Sequence, residues 1–388
     1  MLSDPYEAYV WAYFTGDRGD SEKISLAVSN GNDALSWHAL NGGKPLFAST
    51  SGTHGLRDPF IMRSHEGDRF FIIATDLKVA ALKDGFGDAQ RIGSRYLEIW
   101  ESTDLVPCGD QRHVLVSPPE AGNSWAPEAY WDDNIGAYAV YWSSNLYDGA
   151  AANDLTLRDQ LTYGRMMIAT TKDFRTFSEP QVWMDVRRGN GHDGRGLIDA
   201  TVARDGDWWY RFVKDERTMT VREERSHDLL GKVRGLLPGE MFSSFDSLSA
   251  LDDGDPAGDG KADDGASDGG WELVRENVGV GLPNGEKAED GSPKLFTHGE
   301  GPCIFPANPD DVNGYRWFLF IDQPSYHDGP NHYIGFATQD LGDPDGWVPV
   351  SGKLREGLPV GPDGGKPRHG TVMPITAAER DRLIAAFG

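Results

Sequence analysis

A weak internal repeat constrains the fold of this chain more than any other feature of its sequence. Five segments place a polar residue beside Pro or small residues and then continue as an apolar strand: 57–61, 125–130, 197–202, 299–304 and 368–372. The anchor residues of these segments, Asp58, Trp125, Asp199, Glu300 and His369, lie 67, 74, 101 and 69 residues apart. Recurrence at a nearly fixed period is typical of propeller and solenoid architectures.

The one long interval contains a segment that does not resemble the rest of the chain. Residues 252–270 are almost entirely Asp, Gly and Ala, a composition that cannot bury a core and predicts a flexible acidic insertion. Removing roughly 30 residues for this insertion restores a period near 70. The 57 residues before Asp58 and the 19 after His369 together supply one further repeat.

This arithmetic predicts an all-β fold, a five-bladed β-propeller formed by residues 1–388 as a single domain. The last blade would be closed by strands from both termini, with 368–375 as its inner strand and 9–14, 24–28 and the Trp37 segment outside it. Ring closure would hide the sheet edges that an open chain exposes. The one amphipathic helix is expected at 377–387. A pair of β-sandwiches with accidental spacing is the alternative.

Charge and composition narrow the classes of partner. The 61 acidic residues outnumber the 37 basic ones, for a net charge of −24, which argues against nucleic acid and anionic membranes as partners. No apolar run approaches the ~20 residues of a membrane span, and the first residues do not resemble a secretion signal. The two cysteines, Cys108 and Cys303, exclude a disulfide framework and a cysteine-based zinc site.

Three carboxylates share a place in the repeat. The innermost strands of a propeller run in the same direction along the channel, so we expect Asp58, Asp199 and Glu300 to converge at one mouth of it. Carboxylates crowded into one pocket repel each other, so at least one should keep its proton near neutral pH. A protonated acid facing an ionised partner is the arrangement that glycoside hydrolysis requires. Taken singly, Asp58 and Asp199 could be structural cap or turn residues, whereas Glu300 between two glycines is the least expected of the three on structural grounds.

At these residues the sequence resembles glycoside hydrolase family 43, the five-bladed propeller enzymes that include α-L-arabinofuranosidases, β-xylosidases and endo-arabinanases. The matching motifs are Arg57-Asp58-Pro59-Phe60-Ile61, Ser124-Trp125-Ala126-Pro127-Glu128, Ile198-Asp199-Ala200, Glu300-Gly301-Pro302 and Arg368-His369-Gly370-Thr371. The resemblance implies that Asp58 is the general base, that Glu300 is the general acid, and that Asp199 raises the pKa of the acid and orients it. It also implies inversion of the anomeric configuration, with the base and acid ~6.5–9.5 Å apart.

The resemblance further implies a histidine on the channel axis. His369 matches this residue, which in many members lies beside a bound cation or water. No cofactor is expected for the chemistry, and His369 is a candidate neighbour of a structural Ca²⁺ or other cation in the channel, with a satisfied core histidine as the alternative. The sugar-binding candidates are Trp125, Arg57, Trp142, Tyr326 and His369. Two departures leave the subgroup open: Glu128 stands where members often have Asp, and Ala200 where Pro is more usual.

The function expected from the sequence is an inverting exo-glycosidase, most simply an α-L-arabinofuranosidase acting on plant arabinan, arabinoxylan or arabinogalactan. β-Xylosidase, β-galactofuranosidase and endo-arabinanase are the enzymatic alternatives. A carbohydrate-binding propeller without catalysis and a purely structural propeller are the other classes. Polymeric substrates favour an extracellular monomer or a module of a longer secreted chain, whereas a full-length protein with this N-terminus would be cytoplasmic.

Overall fold

The computed structural model describes residues 4–17, 21–106, 109–186, 195–231, 233 and 270–388. The described strands, in chain order, are β1 (Tyr6–Tyr13), β2 (Ser25–Ser29), β3 (Trp37–Ala39), β4 (Leu56–Arg63), β5 (Phe70–Asp76), β6 (Tyr96–Ser102), β7 (Arg112–Leu115), β8 (Trp125–Asp132), β9 (Ala137–Asn145), β10 (Gly164–Thr171), β11 (Gln181–Met184), β12 (Leu197–Asp205), β13 (Trp208–Asp215), β14 (Thr220–Ser226), β15 (Glu272–Arg275), β16 (Pro283–Lys287), β17 (Pro293–Leu295), β18 (Glu300–Pro306), β19 (Trp317–Gln323), β20 (His332–Thr338), β21 (Val348–Pro349) and β22 (Gly370–Thr376).

The strands form five antiparallel sheets of four strands each, which are the blades of a propeller. Strands β4–β7 form blade 1, β8–β11 blade 2, β12–β15 blade 3 and β18–β21 blade 4. Blade 5 combines the C-terminal strand β22 with β1, β2 and β3 from the N-terminal part of the chain. Strands β16 and β17 pair with each other as a separate hairpin between blades 3 and 4.

The predicted five-bladed propeller and its mode of closure are confirmed. The inner strands β4, β8, β12, β18 and β22 each contact the inner strand of the next blade, which completes the ring. Closure rests on the antiparallel pairing of β22 with β1, in which Val372 lies opposite Trp11 and Gly370 opposite Tyr13. Because strands from the two ends of the chain share one sheet, no open sheet edge remains between the first blade and the last.

The core is divided among the interfaces between neighbouring blades. Five clusters of buried apolar side chains lie between blades 5 and 1, 1 and 2, 2 and 3, 3 and 4, and 4 and 5. Successive side chains of a strand point to opposite faces, so Val10 packs toward blade 1 while Trp11 packs toward blade 4. Strands buried on both faces read as continuous apolar runs, which explains the sequence of the central strands.

The described helices are short and lie outside the blades. The α-helices are α1 (Phe86–Ile92), α2 (Gly149–Asn153), α3 (Ser351–Gly357) and α4 (Ala377–Phe387), and single 3₁₀ turns cover Leu40–Gly43, Val79–Ala81, Leu155–Leu157 and Ser325–His327. Helix α4 confirms the predicted C-terminal helix. Thr376 and Glu379 form a capping box at its start, and Glu379 also pairs with Arg63 at 2.7 Å. In the described part of the chain, no helix combines the length and apolar character of a membrane span.

The predicted acidic insertion, 252–270, falls outside the described residues except for Gly270. The strands on either side of it in sequence are β14 and β15, which pair with each other in blade 3. Residue Arg225 of β14 lies opposite Glu272 of β15. The long interval between the third and fourth repeats therefore arises within one blade.

Candidate active site

The inner strands of four blades carry the same backbone irregularity. Asp58, Ala126, Asp199 and Gly301 have φ values of 48°, 48°, 55° and 56°, and the strand pairing shifts register at each of these residues. A side chain at positive φ costs of the order of 1–3 kcal/mol, and only glycine avoids the cost. Two of the three candidate carboxylates therefore lie at strained positions, a pattern that accompanies functional sites.

The common irregularity corrects the predicted alignment of the carboxylates. Asp58 and Asp199 occupy the same place in their blades, but in blade 4 that place belongs to Gly301. Glu300 is one residue earlier, at the position of Arg57 and Trp125 rather than of Asp58. The prolines at 59, 127 and 302, each directly after the positive-φ residue, are the sequence signal that reveals the correct alignment.

Asp58 is held in place by contacts from three blades. The Thr75 hydroxyl donates a hydrogen bond to Asp58 Oδ2 at 2.9 Å and accepts one from the Ala126 amide at 2.8 Å. His369 Nδ1 lies 3.4 Å from Asp58 Oδ1. Burial alone would raise the pKa of Asp58, but His369, Arg57 and Thr75 together bring it below the usual value. Asp58 is therefore ionised at neutral pH.

Asp199 and His369 lie close together beside Asp58, and the pKa values of both are raised. His369 Nδ1 is 4.0 Å from Asp199 Oδ1, and the Gly301 amide donates to Asp199 Oδ2 at 3.0 Å. Burial raises the pKa of Asp199 to about 7; the charges of Glu300 and Asp58 add to this and that of His369 opposes it. Burial lowers the pKa of His369, but Asp199 and Asp58 outweigh it and raise the pKa to about 9.

Glu300 lies among donors that stabilise its charge. Lys214 Nζ lies 2.7 Å from Glu300 Oε2, and the Tyr326 hydroxyl donates to Glu300 Oε1. Burial would raise the pKa of Glu300, but Lys214, His327 and Tyr326 hold it well below its usual range. Asp199 is thus the one of the three carboxyls whose pKa is raised, whereas the pKa values of Asp58 and Glu300 are lowered, so the proton predicted for one of them is expected on Asp199.

Gly301 is required for this geometry. It has φ 56°, and a Cβ atom there would lie 2.6 Å from His369 Cγ. Glycine therefore permits both the backbone turn after Glu300 and the close approach of the imidazole. The glycine that follows the predicted acid positions His369 against the two aspartates.

A ring of polar residues on the second strands supports the inner strands, and most of it was missed from sequence. The residues opposite Arg57, Trp125, Ile198 and Glu300 are Thr75, Ser143, Lys214 and Asp322, respectively. Each stands at the end of a short apolar run, FIIAT, VYWS, FVK and FLFID, which is the signal that could have found them. Asp322 holds Arg368, whose Nε lies 2.8 Å from its Oδ2.

Two aromatic rings form a pair next to Arg57, the residue before Asp58, and a third ring contacts Glu300. Trp125 is half-buried, and the exposed Phe86 ring of α1 meets it edge-on with centroids 6.3 Å apart. Tyr326, predicted to bind the sugar, is 64% exposed and touches Glu300. Phe86 was missed because it belongs to a connection between β5 and β6, where the repeat predicts nothing.

Two of the predicted sugar-binding residues lie elsewhere than expected. The prediction for Trp142 is wrong: the side chain is fully buried between blades 1 and 2, and its Nε1 donates to Ser117 Oγ at 2.7 Å. It lies in the middle of β9, where both faces of the sheet are covered. Arg57 is also buried and pairs with Asp17 and Glu22, so its charge reaches the site through Asp58.

Glu128, the departure from the usual family residue, lines the channel on the inner side of the site. It is buried, and the Tyr141 hydroxyl donates to its Oε2 at 3.1 Å. Burial raises the pKa of Glu128 to about 8, against the hydrogen bonds from Thr201 and Tyr141. Below it lies a cavity of about 380 Å³ with mostly apolar walls from the inner strands of all five blades.

The donor set around His369 does not fit a cation held by protein side chains. Among the described residues, His369 belongs to no group of three His, Cys, Asp or Glu side chains whose ligand atoms lie within 4.8 Å of one another. The raised pKa of His369 also keeps a proton on the imidazole at neutral pH. A cation held beside His369 through water stays a prediction.

Comparison with known proteins places the chain in a family. Residues 4–381 match the glycosyl hydrolase family 43-related model, described as "Probable glycosyl hydrolase domain". Over 221 residues, 55% of this chain, the sequence is 37% identical to an α-L-arabinofuranosidase from Bifidobacterium longum subsp. longum. The matched part is 20% of that protein, so the chain spans only a fraction of its relative's length.

Solved structures resemble the chain only distantly. An α-L-arabinanase from Penicillium chrysogenum in complex with arabinobiose has 10% identity and a TM-score of 0.44 over 96% of this chain and 94% of that one. An exo-β-1,3-galactanase from Clostridium thermocellum has 14% identity and a TM-score of 0.43 over 75% of this chain and 47% of that one. These likenesses are too distant to carry an argument about activity. The family match extends over nearly the whole propeller. The chain therefore belongs to the glycosyl hydrolase family 43-related family.

Proposed function

We propose that the chain is an inverting, exo-acting α-L-arabinofuranosidase that removes terminal arabinofuranosyl units from plant arabinan, arabinoxylan or arabinogalactan. The observation that carries the reaction type is the clustering of Asp58 and Asp199 against His369, with Glu300 close enough for its charge to act on Asp199. The choice of sugar rests on the name of the 37% identical relative, an α-L-arabinofuranosidase.

In this proposal Asp58 is the general base. Its lowered pKa keeps it ionised, and Thr75 and His369 fix its orientation, so that a water on its free side can be aligned with the anomeric carbon. As the water oxygen forms its bond to that carbon, one water proton passes to Asp58. The bond to the leaving oxygen breaks on the opposite face of the sugar, which inverts the configuration.

Glu300 is the proposed general acid, and it needs a proton before it can act. The unliganded carboxylate is held ionised by Lys214 and Tyr326, while Asp199 keeps a proton at and below neutral pH. A sugar oxygen that displaces the exposed Tyr326 hydroxyl would remove one hydrogen bond that stabilises the Glu300 charge. The proton of the coupled pair then favours Glu300, which delivers it to the leaving oxygen.

Proton NMR of the first product tests the function most directly. With branched arabinan, arabinoxylan and arabinogalactan as substrates, we expect free arabinose that appears first as the β-anomer and then mutarotates. Release of the α-anomer would contradict inversion. A ladder of oligosaccharides from linear arabinan would contradict exo action and favour an endo-arabinanase.

Nitrophenyl glycosides decide between the sugars. Arabinofuranoside should be hydrolysed at a kcat/KM at least tenfold above xyloside and galactofuranoside, because pocket contacts that match one ring discriminate by about 1–3 kcal/mol. Preferred cleavage of the xyloside or the galactofuranoside would replace the proposed sugar. Glycan binding without any turnover would indicate a carbohydrate-binding propeller instead.

The pH profile should report the Asp199–Glu300 pair. The acidic limb requires ionised Asp58 and should lie below the usual Asp range, because the pKa of Asp58 is lowered. The basic limb requires the shared proton, so kcat/KM should fall as the pH rises through about 7, the pKa of Asp199. Lys214→Met should move the basic limb to higher pH, since its positive charge lowers the pKa of both carboxyls.

The control for this shift is Lys353→Met, which removes a half-exposed lysine paired with Asp33 at 2.8 Å in blade 5. Its pH profile should match that of the unmodified protein. A basic limb that stays in place in the Lys214 variant, with the fold intact by circular dichroism, would mean that the proton lies elsewhere.

Trp125 is proposed as a wall of the sugar site. Trp125→Ala should raise KM about tenfold with kcat nearly unchanged, because stacking on the ring contributes equally to substrate and transition state. The control is Trp131→Ala, six residues further along β8 and so about 20 Å away. If both variants raise KM equally, the sugar does not bind at the mouth marked by Asp58.

A further inference from the structure

A second cluster of ionisable groups lies in blade 1, away from the channel. Strands β5, β6 and β7 place Asp76, Glu98 and His113 on the same face of the sheet, with Glu98 opposite His113 in the pairing register. One ligand atom from each of the three side chains lies within 4.8 Å of the others. The proposed reaction uses none of these residues.

One carboxylate oxygen of the cluster lacks a hydrogen-bond partner among the described residues. Asp76 is 2% exposed, and its Oδ1 accepts from the Thr53 amide at 2.8 Å and from the Thr53 hydroxyl at 2.7 Å. Its Oδ2 is buried and has no hydrogen-bond partner among the described residues. A buried carboxylate oxygen without a donor is costly, and it commonly marks a missing water or ion.

The other two side chains contact each other and are held by further neighbours. His113 Nδ1 lies 2.5 Å from Glu98 Oε1, and Gln111 Nε2 donates to Glu98 Oε2 at 2.5 Å. The His113 ring stacks on Tyr96 with centroids 4.0 Å apart and planes 5° apart. Metal ligands are usually fixed by such outer contacts, which set the ring orientation and the direction of each lone pair.

The loop above the cluster leaves room only because it contains glycine. Gly52 has φ 53°, and a Cβ atom there would lie 2.0 Å from Asp76 Oδ2. The neighbouring Ser49 and Thr50 bond to Gln111, so the loop is tied to the same residue that holds Glu98. The unpartnered oxygen therefore lies against the backbone of Gly52, where any larger residue would collide with it.

We propose that Asp76, Glu98 and His113 bind a divalent transition-metal ion, with Zn²⁺ as the ion that the donor set fits best. Zn²⁺ accepts imidazole nitrogen together with carboxylate oxygen, whereas Ca²⁺ and Mg²⁺ take oxygen ligands almost exclusively. Tetrahedral bonds of about 2.0–2.1 Å place ligand atoms roughly 3.3 Å apart, so His113 Nδ1 and Glu98 Oε1 would separate slightly from their 2.5 Å contact when the ion binds.

An ion could reach this site from solvent, and its binding would stabilise the neighbouring strands. The His113 side chain is 29% exposed on the outermost strand of blade 1, so an ion can arrive from solvent and a water can complete its coordination. Asp76 directly follows Thr75, the residue that hydrogen-bonds Asp58. The ion would tie the loop before β4 to β5, β6 and β7, and so brace the strand that carries Asp58.

The test is metal content of the full chain, purified without a histidine tag. After removal of metal with EDTA and reloading with Zn²⁺, desalted protein should retain about one zinc per chain by mass spectrometry. Saturating Zn²⁺ should also raise the melting temperature by about 2–4 °C or more, because an ion that binds only the folded state stabilises it. Ca²⁺ should do neither.

Variants locate the ion. His113→Gln and Asp76→Asn should each retain less than about a fifth of an equivalent of zinc and lose the thermal shift. The His113 side chain is partly exposed, so its variant is the safer of the two to fold. His38→Gln, the same change at an exposed residue of β3, should behave like the unmodified protein. Retention below a tenth of an equivalent with no thermal shift, or full retention by the His113 variant, would overturn the site.

Discussion

Glu300→Gln is expected to lower kcat/KM about 10³-fold on arabinosides with a sugar leaving group. Glutamine keeps the size of the side chain and its contact with Lys214, but it has no acidic proton to give to the leaving oxygen. Dinitrophenolate leaves without a proton, so the same variant should lose no more than about tenfold on dinitrophenyl arabinofuranoside. Steady-state kinetics on the two substrates measures this difference.

The matched control is Glu286→Gln, which makes the same change at a partly exposed glutamate of β16 near His332 and Arg355. Both of its rate constants should stay within about twofold of the unmodified protein. An equal loss on both substrates in the Glu300 variant would mean that Glu300 is not the acid. An unchanged rate would mean that the catalytic pair has been assigned wrongly.

Asp58→Asn is expected to lower kcat/KM about 10³-fold as well, but equally on both substrates. The base acts on water, so its loss does not depend on the leaving group. Asparagine can still accept the Thr75 hydrogen bond, which keeps the local structure close to that of the unmodified protein. The measurement is again kcat/KM for a natural arabinoside and for the dinitrophenyl glycoside.

Azide separates a missing base from a damaged site. A small anionic nucleophile needs no base, so azide should restore turnover of the dinitrophenyl substrate and give a glycosyl azide of inverted configuration. Asp68→Asn, a change at an exposed turn of blade 1, should have normal rates and no response to azide. The proposed role would be contradicted if azide did not restore turnover in the Asp58 variant, or if the glycosyl azide had retained configuration.

The architecture could be predicted from sequence because each blade repeats the same pattern of buried apolar strands separated by turns. The inner strands carry a proline or small residue near their start, as at Pro59 and Pro302, and every second strand is mostly buried. The terminal residues were assigned to a shared blade by counting alone, and the pairing of Trp11 with Val372 confirms it. Helix α4 was predictable because its apolar period and its Thr376 cap are local features.

The wrong predictions concern residues whose place in the repeat was known but whose side-chain direction or strand register was not. Trp142 and Trp125 are both tryptophans on strands of blade 2, yet one lies in the middle of a buried strand and the other at the channel mouth. Glu300 was aligned one residue late, because the carboxylates were matched to one another instead of the prolines at 59, 127 and 302 that follow each register shift. Thr75 and Lys214 were missed because they lie on second strands, outside the repeated motifs.

By itself the sequence determined the number of blades, their order, the closure by both termini and the three carboxyl groups that meet at the channel. These follow from local patterns of apolar residues and turns, repeated along the chain. Only the tertiary structure decided which carboxyl keeps the proton. Lys214, 86 residues from Glu300 in sequence, holds Glu300 ionised, while burial leaves Asp199 with a pKa of about 7. A pKa depends on charges and burial that distant strands bring together, and no single segment contains that information.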